Sequence, residues 1–235
     1  MLWYKAWLET RWRFVFMLGS IVLVWLTPLW LPSFGFRLPQ GVPASKIWMG
    51  VHLGSVLLYI VVANFLAGSG VNSQTTYAAT SGFHGSMLFT LSLPVSRRRL
   101  LFVRAGLGAL LTSALVAMMA GYTVIQRPEG ASAMQAVEYV ARAIACTMAV
   151  YALSVLLACV LDEMWQFYAA SFCWIGFYLL QSRFAVLSWL SPLRGMTLFS
   201  YPVTAPMPWA PIVASLLFAG SCLCASVLVL QRKEY

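Results

Sequence analysis

LSLPVSRRRLLFVRAGLGALLTSALVAMMAGYTVI, residues 91–125, decides the fold. Arg97, Arg98 and Arg99 stand directly before an apolar run from about Leu100 to Ile125, interrupted only by Arg104. A helix that crosses the ~30 Å hydrocarbon core of a bilayer needs about 20 predominantly apolar residues, and this run supplies them. An arginine at the centre of a spanning helix costs roughly 2.5–3.5 kcal/mol even on insertion scales. The triplet therefore marks an aqueous face, and the run behind it is expected to enter the membrane.

The rest of the chain agrees. Of its 235 residues 61% are hydrophobic and 9% are charged, where a soluble domain carries roughly 25% charge. So few charges do not cover a water-facing surface. Five further stretches are long and apolar enough to span, at about Phe14–Leu31, Ile47–Ala67, Val140–Leu161, Met164–Gln181 and Pro211–Leu230. The expected fold is an all-α membrane protein of six transmembrane helices in a single domain, residues 1–235. Basic residues precede the first apolar run, as in a signal peptide, but no small-residue cleavage site follows it, so it is expected to remain as a span. The fourth and fifth spans are separated only by Asp162 and Glu163, which implies a tight hairpin. Ten tryptophans, within an aromatic content of 14%, suit anchoring at membrane interfaces.

The net charge of +9, from 15 basic and 6 acidic residues, is scattered between apolar runs. It is read as a topology signal, not as a nucleic-acid surface. With the N-terminus inside, the inner side holds Lys5, Arg11, Arg13, Arg97, Arg98, Arg99, Arg104, Arg232 and Lys233. The outer side holds the shorter set Arg37, Lys46, Arg127, Arg142, Arg183 and Arg194. Both termini are therefore expected in the cytoplasm. Residues 32–46, with Pro32, Pro39 and Pro43, make a short outer connector, and residues 68–99 the longest inner segment. Residues 182–210 form the longest outer segment, with Pro192, Pro202, Pro206 and Pro208 beside Trp189, Tyr201 and Trp209. This segment is too apolar for a free loop and is expected to dip into the outer interface as short broken helices. Cys146, Cys159, Cys173, Cys222 and Cys224 form no CxxC pair and lie in apolar stretches. They are read as small apolar residues, not as disulfides or zinc ligands.

Residues 2–14, LWYKAWLETRWRF, are amphipathic. On a helical projection Trp3, Ala6, Trp7, Thr10 and Phe14 share one side, and Lys5, Glu9 and Arg13 the other, with Trp12 an apolar exception there. Such a helix lies along a membrane surface; the plainer alternative is that these residues cap the first span. In the inner loop, residues 68–80 are small and polar. Phe83, Met87, Leu88 and Leu91 then recur on one face of a short helix at 81–93 that also carries His84 and that Pro94 ends. Held between two spans, this helix either passes force between a soluble partner and the bilayer or lies at the interface as ordinary packing.

Within the spans, Ala105, Ala109, Ser113, Ala117 and Gly121 recur every four residues along the third, and Ser215, Ala219, Cys222 and Ser226 make a weaker stripe on the sixth. Small residues let helix backbones approach closely in lipid, so both stripes are read as packing seams. His52 and Asn64 are the polar residues of the second span. With His52 and His84 far apart and no Asp or Glu inside a span, neither a metal site nor a proton relay is expected. GSGVNSQTT at 68–76 is glycine-rich but lacks the lysine of a phosphate loop. An intramembrane serine protease built on Ser69 would need a base within reach. His52 lies roughly 25 Å away along a continuous helix, and His84 sits in the loop. A non-enzymatic membrane scaffold or immunity-type protein remains as a further alternative.

LSLPVSRRRLL at 91–101 strongly resembles the segment ending the first cytoplasmic loop of the permeases of bacterial type-2 ABC transporters. WYKAWLETRWRF is similar to the surface "elbow" helix of that family, and LQRKEY at 230–235 to its charged ending after a sixth span. The resemblance implies an exporter in the inner (plasma) membrane, in which two permease chains, as a homodimer, work with two ATP-binding subunits that hold the ATP and magnesium. It implies no catalytic residue and no cofactor in this chain. Residues 81–93 would be the coupling helix, so that Phe83, His84, Met87, Leu88, Leu91, Pro94 and Arg97–Arg99 face the ATPase. Trp3, Lys5, Trp7, Arg11 and Arg13 would mark the elbow. The second and fifth spans would line the path, with Tyr59, Asn64, Phe167 and Phe172 as candidates for contact with an apolar or amphiphilic substrate. Relatives often carry an acidic residue early in this loop, whereas residues 68–96 contain no Asp or Glu.

Overall fold

The computed structural model describes residues 2–30, 44–67, 97–125, 132–161, 163–197, 203 and 205–232, and every regular element among them is an α-helix. In chain order these are α1 (Leu2–Trp30), α2 (Ala44–Ala67), α3 (Arg97–Ile125), α4 (Ala133–Ala158), α5 (Glu163–Gln181), the short α6 (Ala185–Leu190) and α7 (Pro192–Met196), and α8 (Trp209–Arg232). Three of them, over Arg98–Ile125, Ala133–Ala158 and Trp209–Val229, are long and apolar enough to cross a membrane. The helix bounds lie within a few residues of the expected runs, except that α1 begins at Leu2 and α4 begins about two turns before Val140. The reason is local: Ser132 caps α4, its hydroxyl accepting from Gln135 N at 3.3 Å while Gln135 Oε1 accepts from Ser132 N at 2.9 Å.

α4 is the axis of the bundle. It packs against α2, α3, α5, α7 and α8, and 56% of its spanning stretch is buried, against 44% for α3 and 28% for α8. Many of its enclosed side chains are small or polar, among them Ala143, Cys146, Thr147, Ala149 and Ser154, interleaved with Val150, Tyr151 and Val155. Large apolar side chains such as Phe102, Leu110, Leu217 and Leu228 point outward. That is the arrangement expected where lipid is as apolar as leucine and helices associate by close packing and interhelical hydrogen bonds.

α1 differs from the expected surface helix followed by a span. It runs unbroken from Leu2 to Trp30, so residues 2–14 share one axis with residues 15–30. The cause is visible in its burial. Ala6, Thr10, Met17 and Ile21 lie on one continuous buried stripe, so the side expected to rest on the bilayer packs against the protein. The ring of Trp3 reaches Gly106 of α3, and at the other end Trp25 stacks on Tyr122 at 4.3 Å. α1 and α3 therefore run parallel.

The expected seam on α3 is also displaced. Ala105, Ala109, Ser113, Ala117 and Gly121 are only half-buried, while Gly108, Thr112, Leu115, Val116, Met119 and Thr123 are buried. Gly108 is the tight point: a Cβ there would collide with the Tyr151 hydroxyl and stand 3.2 Å from the Leu66 carbonyl oxygen. The stripe on α8 does form a seam, with Ser215, Ala219, Cys222 and Ser226 all buried, and Ala219 and Cys222 pack on Ala152 of α4 while Ser215 stands beside Cys146. Ser215 and Ser226 donate back to Pro211 O and Cys222 O, at 2.5 and 2.8 Å, so each hydroxyl proton is satisfied within α8.

Between α5 and α8 the chain makes the two short helices α6 and α7. Ser191 caps α7, accepting from Arg194 N at 3.4 Å. Ser191, Pro192, Leu193, Gly195 and Met196 are buried, and a Cβ on Gly195 would strike Cys146 Sγ near the middle of α4. Phe184, Val186 and Trp189 stay exposed. α7 is thus inserted into the bundle while α6 remains on its surface.

Candidate functional site

The described residues best placed for function gather where α2 ends. A helix leaves its last four carbonyls without intrahelical partners, and at the end of α2 two of these are claimed by other helices. Gln166 Nε2 of α5 donates to Asn64 O at 3.2 Å, and Arg13 Nη1 of α1 donates to Phe65 O at 3.3 Å. The Arg13 guanidinium also lies 5.7 Å over the Phe65 ring. A cation at a helix C-terminus is favoured by the helix dipole, and the ring adds a cation–π contact. From α4, the single Ser154 hydroxyl proton is shared between Asn64 Oδ1 and Val150 O, the latter at 2.9 Å. The last turn of α2 is therefore held by α1, α4 and α5 together.

From this point the chain leaves for residues 68–96 and returns at Arg97, the first residue of α3. Arg98 and Arg99 are exposed there. Just beyond, Tyr151 Oη of α4 donates to Ala105 O at 2.8 Å, and Tyr151 packs on Gly108. The helices on both sides of residues 68–96 are thus bonded to α4, α2 at its last turn and α3 at its third turn. Phe83, His84, Met87, Leu88, Leu91 and Pro94 lie outside the described residues, as do Ser69 and the whole segment 81–93 expected as a helix. His52 falls on α2.

The remaining expected residues divide. Arg13 and Asn64 come together at the clamp. Trp3, Trp7 and Arg11 are exposed, Lys5 is half-buried, and the Arg11 guanidinium lies 5.5 Å from the Trp12 ring. Tyr59 and Asn64 are buried inside the chain's own packing, at 0% and 2% exposure. Phe167 is half-buried, and Phe172 is 70% exposed on the outside of α5. The structure does not bring these four side chains to one surface. Phe172 belongs instead to an exposed stripe with Trp165, Tyr168, Ile175 and Leu179.

Two further functional suspects are not evident from the sequence. Gln166 is the partner of Asn64 and fully enclosed, at 1% exposure; its place in the first turn of α5 beside Trp165 and Phe167 is the available signal. Arg142, expected on the outer flank, is 3% exposed and about 14 Å inside α4 from Ala133. Its guanidinium lies 5.1 Å from the Tyr139 ring. Tyr59 Oη stands beside the Tyr139 and Thr123 hydroxyls without reaching hydrogen-bond geometry to either. Among the described residues no three His, Cys, Asp or Glu gather into a metal-binding group.

No protein-family profile, curated protein or solved structure matches this chain.

Proposed function

We propose that this chain is the membrane-embedded permease subunit of a type-2 ABC exporter, with residues 81–93 as its coupling helix and ATP hydrolysis supplied by a separate subunit. The observation that carries this is the anchoring of the inner loop. A loop that transmits force needs both ends fixed in the transmembrane bundle. The end of α2 is fixed by Arg13, Ser154 and Gln166, and the start of α3 is tied to α4 through Tyr151. The loop motif LSLPVSRRRLL, which resembles the corresponding permease segment, lies between the two.

In this proposal the arginine triplet faces the cytoplasm of a cell with an inner membrane, and two copies of the chain assemble with two ATP-binding subunits. Closure of the ATPase pair pulls on the 81–93 helices, and α2 and α3 move with them as a unit because α4 joins both. The exposed aromatic stripe of α5, with Trp165, Tyr168 and Phe172, faces the second permease chain, and an apolar or amphiphilic substrate passes between the copies. Tyr59, Asn64 and Gln166 act as positioning residues, since their side chains are enclosed within one chain.

Affinity purification of the tagged chain from its native membranes in mild detergent tests the proposal. The expected result is stoichiometric recovery of a nucleotide-binding subunit. Recovery of the permease alone, from membranes in which the ATPase is expressed, contradicts it.

A further inference from the structure

We infer that the groove between α3, α4 and α8 is a binding site for an anionic phospholipid of the leaflet on the arginine-marked side. α3 and α8 both lie against α4 and touch each other little, which leaves a groove of about 360 Å³ between them. Phe102, Ala105 and Ala109 form one wall, Tyr151 the floor, and Gly220 and Leu223 the opposite wall. Nothing polar is offered inside. The one hydroxyl in the lining, Tyr151 Oη, is already committed to Ala105 O, so the groove suits a hydrocarbon chain and not a sugar or nucleotide. Along α8 the lining runs from Leu216 to Val227, about 16 Å at 1.5 Å per residue. That is close to half of the ~30 Å hydrocarbon thickness, the depth of one leaflet.

Charge fixes which lipid. Arg98 precedes Phe102, Ala105 and Ala109 at i+4, i+7 and i+11, and Arg99 precedes Phe102 and Gly106 at i+3 and i+7, so both share the helix face that lines the groove. Both are exposed, and they sit one turn beyond Phe102 on the side where α3 meets water. A phosphate whose acyl chain fills the groove would therefore stand at these two guanidinium groups; basic sites between spans recognise anionic headgroups in this way. A second copy of the chain fits less well. Packing two copies face to face across this groove about an axis normal to the membrane would bring Arg98 and Arg99 against the same residues of the other copy. The inference needs the chain to lie in a membrane but does not rest on the transporter reading.

The test uses the full chain and native mass spectrometry in micelles containing phosphatidylglycerol and phosphatidylcholine in equal amounts. The expected result is one retained lipid per chain, with phosphatidylglycerol preferred on the order of tenfold. Arg98→Gln with Arg99→Gln should bring the preference close to unity. Gly220→Leu should remove both lipids; a Cβ at Gly220 meets open space within 4 Å, so this variant fills the groove without forcing the fold. Arg232→Gln, a control at the same end of α8 but turned away from the Val227 face, should leave the preference intact. Equal retention of the two lipids, loss of preference in Arg232→Gln to the same degree as in the arginine pair, or a preference that survives the arginine pair would each overturn the inference. So would a Gly220→Leu variant that keeps its lipid but changes oligomeric state, which would assign the groove to a second copy.

Discussion

Gly108 shows how little space the bundle leaves where α2, α3 and α4 meet. Its missing side chain admits the Tyr151 ring, and Tyr151 in turn reaches over to Ala105 O at 2.8 Å. Gly108→Ala should therefore destabilise the protein by about 1–3 kcal/mol through overpacking, seen as a lower melting temperature in detergent. Gly220→Ala, into open space, should be neutral or slightly stabilising, because it gains helix propensity. Equal melting temperatures for the two variants would mean that the α3–α4 contact is looser than described. At the clamp, the Ser154–Asn64 bond is open to a double-mutant cycle with Ser154→Ala and Asn64→Ala. The coupling expected between membrane helices is about 0.6 kcal/mol and at most roughly 1.7; a coupling of zero would remove this bond from the clamp.

At the scale of helices, hydropathy locates the elements well and their faces poorly, and the reason is physical. In lipid both the outer and inner sides of a span are apolar, so periodicity does not distinguish them. On α3 the four-residue stripe from Ala105 to Gly121 is the conspicuous pattern, yet the buried side is that of Gly108, Thr112 and Met119. Arg142 lies deeper than hydropathy implies because the apolar run starts at Val140, whereas the capping box at Ser132 starts the helix earlier and carries Arg142 inside. The clamp on α2 is half legible. Asn64 stands out as a polar residue in a span, but Gln166 and Arg13 come from distant parts of the chain, and nothing local announces that they meet. Two predictions belong to this scale. Gln166→Leu leaves Asn64 O without its donor and should cost about 1–3 kcal/mol in stability. In the proposed transporter it should also weaken nucleotide-driven transport more than nucleotide binding. Met87→Glu or Leu91→Glu, on the apolar face of the 81–93 segment, should abolish substrate-coupled ATPase activity while membrane insertion is retained. Unchanged turnover in both would remove the coupling assignment.

For the molecule as a whole, the account depends on sidedness. An all-helical chain containing α3, α4 and α8, each long and apolar enough to cross a bilayer, needs one fixed face before its loops acquire meaning, and the arginines at the start of α3 supply it. The most direct measurement is impermeant-maleimide labelling of Arg98→Cys in a chain whose exposed Cys173 and Cys224 are replaced by alanine, leaving only the buried Cys146, Cys159 and Cys222 beside it. Labelling should be strong in inverted inner-membrane vesicles and absent in intact spheroplasts. Labelling in spheroplasts would put the arginine triplet and the adjoining loop outside the cell, away from any ATPase, and would contradict the proposed function.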